Sequence, residues 1–425
     1  MPFHDFEIRA WVVGRTQAAV VVHSSPAGAM QRPETVSLDR NRLSPFLDIF
    51  AGSSKIETEV IAGLVAAGGR ELGSILFPEQ VIGMLIRSLE RIDPECGLRV
   101  RLCLDSELSD LPWEYLILPQ AAGLKAPGGF LALDARVSLV REPPQPGKER
   151  PRLQKKQRLL FFGTRYCYSD GIDRFECAKE RDTLLNALDP AASFLDAKAV
   201  LSNETDCQTA LMRSKTSIDI FHYSGHVDVE NGNGYLIAGD LDAISHKSQR
   251  LYASTLGPLL RRAGTTIAVF SACNSGKWEF VGPLLQSGLS VVVAAQGMVY
   301  VDVALAFCQR LYSALAVGLS LDEAVTWARL HLLEPGVLDE ALQWQWGIFK
   351  IHMQTPEAVL FPRPRVPKVA EQQNAARQAR QLTVINVTQH IGTVQGGEVA
   401  ALSAGAINTH TRPDCVSANK DRKER

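Results

Sequence analysis

A histidine and a cysteine each stand just past the end of an apolar, strand-forming run. Ile218-Asp219-Ile220-Phe221-His222-Tyr223 stops at Ser224-Gly225-His226, and Ile267-Ala268-Val269-Phe270-Ser271 stops at Ala272-Cys273-Asn274-Ser275-Gly276. In an open α/β sheet, ligands gather outside the carboxyl ends of the parallel strands. Two such termini on neighbouring strands would bring a thiol and an imidazole face to face. The thiolate is the attacking species, and a free thiol is only partly ionised at neutral pH. A nearby imidazole takes that proton or holds it in an ion pair, and later returns it to a leaving amine. The small residues Ala272, Ser275 and Gly276 leave room for a substrate backbone. The N–H of Cys273, with one from the Gly225–Val227 loop, is a candidate oxyanion hole. The same two residues also have a plain structural reading, as an inert small hydrophobe and a hydrogen-bonded histidine. His222 lies inside the strand and reads as core or as support for the site.

Both termini need a sheet to hold them. From Arg158 to about Met353, strand-length apolar runs (158–163, 194–201, 217–223, 265–271 and 290–295) alternate with helical spacing (176–188, 206–213, 254–263, 302–317 and 320–332). This alternation implies an α/β domain over 158–353, a mainly parallel sheet with helices on both faces. Residues 1–147 read as a smaller α+β region. Within it, 6–13 and 18–23 suggest a hairpin, 79–91 a helix feeding a strand at 100–104, and 131–141 another strand. The proline-rich stretch 143–151 reads as an exposed linker. A second linker, 362–381, leads to a β-prone segment at 382–408 and a charged tail at 409–425 that reads as disordered. The β-prone segment cannot bury a core alone. It either adds a strand to a partner or is a tail with incidental β propensity.

Composition excludes several classes. A net charge of −1 gives no reason to expect direct nucleic-acid or membrane-surface binding. The N-terminus has no basic and apolar segments of a secretory signal. The most apolar stretch, 289–319, is interrupted by Gln296, Asp302, Gln309 and Arg310 and is too polar to span a bilayer. The 8 cysteines form no CxxC pair and no His–Cys metal spacing. They read as reduced thiols of a cytoplasmic protein, with no metal and no cofactor expected.

Tyr223-Ser224-Gly225-His226 followed by Phe270-Ser271-Ala272-Cys273-Asn274-Ser275-Gly276 resembles the two signature motifs of CHAT domains, caspase-like cysteine peptidases related to separase. Further pieces resemble the family in order: Ser109-Asp110-Leu111-Pro112-Trp113-Glu114, Gly129 to Leu133, Arg136 to Arg141, Gly288 to Ala294, Ser320 to Val325 and Trp346-Gly347-Ile348-Phe349. The likeness runs from about Leu98 to Ile351. It implies a caspase-like fold, Cys273 as nucleophile and His226 as base. It further implies a cysteine endopeptidase acting on a protein substrate, as an effector of bacterial signalling or antiviral defence. Such an effector is held inactive until a sensor partner (an NTPase, a repeat protein or an RNA-guided complex) releases it. The chain carries no P-loop and no 34-residue repeat, so the sensor is expected on a separate chain.

Two departures bear on the site. Val227 stands where the family usually has Gly, and a β-branched residue has no easy access to positive φ. Residues 297–302 replace a Trp-containing version of the loop that, by the resemblance, walls the S1 pocket. Asp302 there is either an acid favouring Arg or Lys at P1 or the N-cap of a helix beginning at Val303. Val227 also motivates the alternative of an inactive scaffold that recruits partners through its C-terminal segment. An acyl hydrolase or transferase using the same dyad is a third reading, weakened by the absence of a Gly-x-Ser/Cys-x-Gly elbow.

Overall fold

Val291-Val292-Val293-Ala294-Ala295 shows why the sheet forms where it does. Such runs have no polar face, so they are stable only when both faces are covered. The computed structural model describes residues 2–50, 58–118, 126–143, 156–164, 177–201, 205–214, 216–238, 250–355 and 357–362. In chain order the strands are β1 (Phe3–Val13), β2 (Gln17–Ser24), β3 (Glu34–Ser37), β4 (Gly97–Leu104), β5 (Val137–Glu142), β6 (Gln157–Gly163), β7 (Leu195–Leu201), β8 (Ile220–Ser224), β9 (Val227–Glu230), β10 (Asn233–Ile237), β11 (Arg250–Tyr252), β12 (Ile267–Ser271), β13 (Val291–Ala295) and β14 (Phe349–Met353). The α-helices are α1 (Arg40–Phe50), α2 (Thr58–Leu76), α3 (Glu79–Arg91), α4 (Ser106–Ser109), α5 (Cys177–Leu188), α6 (Cys207–Met212), α7 (Ala253–Arg262), α8 (Trp278–Gln286), α9 (Val301–Ala316) and α10 (Leu321–His331).

The main sheet has 11 strands in the order β3-β2-β1-β4-β5-β14-β13-β12-β8-β6-β7. Strands β13, β12, β8, β6 and β7 are mutually parallel. So are β14, β5, β4 and β1, and the two groups meet at the antiparallel β13–β14 pair. The sheet is thus mixed but mostly parallel, with helices on its faces. The strands of 1–147 continue the same sheet as those of 158–353.

Strand alternation divides the core between the faces. In β12 and β13, Ile267, Val269, Val291, Val293 and Ala295 pack into one cluster with α5, α9 and α10. Ala268, Phe270, Val292 and Ala294 pack into the other, with α6, α7 and α8. Among the described residues no single helix is long and apolar enough to cross a membrane.

The structure corrects several boundaries. Leu131–Leu133 is a 3-10 turn and only Val137–Glu142 is strand, because Asp134 reverses the chain by accepting the N–H groups of Arg136 (2.9 Å) and, through its carbonyl, Val137 (2.9 Å). Helix α9 starts at Val301. A 3-stranded sheet, β11-β10-β9, and helix α8 were not expected from the sequence pattern. The linker core at 144–155 and the segments 363–381, 382–408 and 409–425 lie outside the described residues.

Candidate active site

The register of β8 and β12 sets the site. Ile267 faces Ile220, and the pairing runs in parallel to Ser271 opposite Ser224. Each chain then continues two residues, to His226 and to Cys273. Neighbouring strands lie about 4.8 Å apart, and the two residues follow the carboxyl ends of adjacent strands. Both are half-buried.

The turn that carries Cys273 is tightly specified. Asn274 takes a positive φ of 58°, which Asn tolerates better than most residues. Its N–H donates to Gly297 O (3.0 Å), and the Gly276 N–H donates to Ala295 O (2.6 Å). Ser275 is buried; its hydroxyl donates to Ala272 O (2.7 Å) and accepts from the Ala295 N–H (2.8 Å). Gly276 is required by close approach, since a Cβ there would lie 2.5 Å from Lys350 Cε and 2.9 Å from Ala295 O. Gly276→Ala is therefore expected to push the turn off its seat and cut Cys273-dependent cleavage by about tenfold or more. Its thermal stability should fall by only a few degrees. Wild-type activity in the Ala variant would show that the turn has slack.

On the other strand, the buried Tyr223 ring fixes the backbone of His226. Tyr223 Oη accepts from the His226 N–H (3.0 Å) and donates to Ile237 O (2.9 Å). Gly225 is needed because a Cβ would meet Tyr223 Oη at 2.5 Å and Thr164 Oγ1 at 2.9 Å. Its N–H points to Ser271 O at 3.4 Å, bridging the two strand ends. Two of the three amides in the 225–227 loop are thus already engaged. The Cys273 N–H remains as a candidate oxyanion donor. Val227 opens β9 opposite Leu236 and is fully buried in the core. It sits in extended backbone, so positive φ is not needed there.

A match to the CHAT domain family covers residues 67–355. The chain belongs to the CHAT family. No curated protein matches it. Among solved structures it is similar to Saccharomyces cerevisiae separase in complex with securin, at 15% identity over 60% of this chain and 15% of separase, with a TM-score of 0.37. It is also similar to gingipain R, an Arg-specific cysteine proteinase, at 9% identity over 69% of this chain and 70% of the other, with a TM-score of 0.44. The CHAT chain described here therefore spans 15% of the length of separase.

Electrostatics keep both groups of this CHAT site neutral near pH 7. Burial pushes the Cys273 thiol above its usual value, and the N–H groups of Val299 and of Cys273 itself only partly offset this. Burial likewise lowers the His226 imidazole, against a smaller opposing pull from Asp228. Asp228 is exposed and accepts from the Val229 N–H (2.8 Å). The sulfur lies against the backbone of one residue: the Val299 N–H points at Sγ from 3.4 Å, and Val299 O lies 3.8 Å away. Around Val299 the loop exposes Met298, Tyr300 and Val301, at 47%, 46% and 45%. Asp302 is exposed in the first turn of α9. The N-cap of α9 is Tyr300, so the capping role considered for Asp302 does not apply.

Beneath the strand ends lies a buried polar group with no sequence signature. His222 Nε2 is 3.0 Å from Glu180 Oε1, and its Nδ1 is 2.8 Å from Tyr312 Oη. Ser224 donates to Glu180 Oε2 (2.6 Å), and Cys308 donates to Oε1 (3.4 Å). Burial alone would raise the Glu180 carboxyl, but His222 and Ser224 bring it below its ordinary value. Glu180, His222 and Cys308 are the one group among the described residues whose ligand atoms converge, within 4.8 Å. Those atoms already hydrogen-bond one another, so the cluster works as it stands, tying α5 and α9 to β8. His222 is therefore support beneath the site.

Lys350 was also missed. It is fully buried under the Cys273 turn, and burial, with Arg141 nearby, pushes its ammonium down to about 7. The available signal was a lysine in the middle of the apolar strand Phe349-Lys350-Ile351-His352-Met353.

Proposed function

We propose that the chain is a cysteine endopeptidase in which Cys273 is the nucleophile and His226 its base. The carrying observation is the β8–β12 register, which delivers both residues to one edge of the sheet. His226, neutral, accepts the thiol proton as sulfur attacks the scissile carbonyl, and it returns that proton to the departing amine. The Cys273 N–H is the proposed donor to the oxyanion. The exposed apolar side chains at 298, 300 and 301 suit a protein substrate lying across the thiol. Asp302, beyond that rim, is the proposed acid for Arg or Lys at P1.

The contacts of Sγ with the Val299 N–H and carbonyl, with the raised thiol, support a resting state. On this reading the protein is an effector held at rest until a separate sensor partner engages it. Its setting in bacterial signalling or defence follows from the family resemblance. The scaffold alternative loses its motive, since Val227 is a core residue of β9.

A peptide-library cleavage profile of wild type against Cys273→Ser tests the reading. Cleavage should fall on the order of 10³-fold or more in the variant. Equal cleavage by both proteins would remove Cys273 from the chemistry. A profile without preference for Arg or Lys would remove Asp302 from the pocket.

A further inference from the structure

We infer that Asp110, in the Ser109–Glu114 segment, is a positioning residue for Cys273. Helix α8 begins immediately after the nucleophile turn, and Lys277 at its N-cap supplies no side-chain hydrogen bond. A helix start leaves orphan N–H groups that normally need an acceptor. Here the acceptor comes from far along the chain: the Trp278 N–H donates to Asp110 Oδ1 at 3.2 Å. One end of the turn is fixed to Ala295 of β13 through Ser275 and Gly276 and to Gly297 just beyond it through Asn274, and Asp110 fixes the other.

Asp110 is itself held in place. Its carbonyl accepts from Gln296 Nε2 (2.9 Å) at the end of β13. Arg141 of β5 donates to the carbonyls of Ser109 and, at 2.8 Å, Leu111 on either side. Arg141 in turn is fixed by the buried Glu114. The short segment thus carries position from β5 and β13 to the helix behind the nucleophile. The Gln296 link also ties Asp110 to the strand end that receives the turn's own hydrogen bonds, so the clamp closes on itself.

This inference rests on Cys273 being the nucleophile, and the test separates the two ideas. Asp110→Ala and Asp110→Asn are compared with wild type by hydrogen exchange and by kinetics on the best library peptide. Asn keeps the oxygen acceptor and caps nearly as well as Asp, whereas Ala does not. In Asp110→Ala, exchange of the amides at 276–279 should quicken about tenfold. In the same variant kcat should drop about tenfold or more, with KM within about threefold of wild type. Asp110→Asn should restore both readings to within about threefold. Unchanged exchange in the Ala variant overturns the cap. Quickened exchange with unchanged kcat overturns the positioning role. If wild type shows no Cys273-dependent cleavage, the peptidase reading fails and the role goes with it, while exchange still reports the cap.

Discussion

Alkylation of Cys273 by iodoacetamide is expected to run about a hundred times faster at pH 8 than at pH 6. Only the thiolate reacts, and burial holds this thiol above its usual value. Over that interval the thiolate fraction therefore rises about tenfold per pH unit. His226 cannot flatten the profile. Its imidazole is lowered by burial, so it is neutral above the ordinary histidine range and offers no cation to hold a thiolate. His226→Ala should accordingly leave alkylation within about threefold of wild type. Peptide cleavage in the same variant should fall about 10²- to 10⁴-fold, because attack then lacks a proton acceptor. On the acid side, cleavage should persist below the usual imidazole midpoint. Cys96 and Cys103 are also partly accessible, so the labelled site must be located by peptide mapping against Cys273→Ser. A rate that is flat from pH 6 to 8, and that collapses in His226→Ala, would show a preformed thiolate–imidazolium pair and sink the neutral-dyad account.

The parts of this fold that the sequence made legible are those where one local rule operates without competition. β12 and β13 are runs of residues with no polar face, and α3 has an apolar stripe that matches its bounds. The neighbouring strand ends bearing His226 and Cys273 followed from topology. Helix α8 escaped because the acceptor for its first N–H is Asp110, from another part of the chain, and because Pro283 lies inside it. Strands β9 to β11 are short and partly polar, and they depend on packing against α7 and α8. The run at 131–141 looked like one strand because its apolar content continues across Asp134, whose turn hydrogen bonds divide it. Glu180 and His222 stand far apart in sequence, and no spacing rule pairs them. Local patterns singled out the candidate pair, whereas the long-range polar contacts around it had no local signal.

Those long-range contacts should dominate stability as well as geometry, and Glu114→Gln should expose this with a loss of about 3–5 kcal/mol. Glu114 is completely buried. Arg141 Nε donates to its Oε1 at 3.0 Å, Arg141 Nη2 closes a second bond to Oε2, and Arg329 Nη2 approaches Oε1 at 4.0 Å. Burial alone would raise this carboxyl, yet Arg141, Arg329 and Lys350 bring it below its ordinary value. Gln keeps the shape and one acceptor but deletes the charge, leaving Arg141 and Arg329 as buried cations without an anion. For a domain of this size the loss corresponds to a fall in melting temperature of roughly 4–7 °C. The pH dependence has a definite sign. A carboxyl depressed on folding contributes stability that is complete above the ordinary carboxylate range and is lost as pH falls through the depressed value. Part of the acid-side loss seen in wild type should therefore vanish in Glu114→Gln. Adding Arg141→Met should recover some of the damage, since it removes one stranded charge, and the double-mutant cycle then reads the coupling directly. Because Arg141 also holds the backbone on both sides of Asp110, the single variant should lose Cys273-dependent turnover even at temperatures where it remains folded. A stability change below about 1 kcal/mol, or strict additivity in the cycle, would mean that water or another anion already compensates these arginines, and the buried clamp would no longer explain how the nucleophile turn is held.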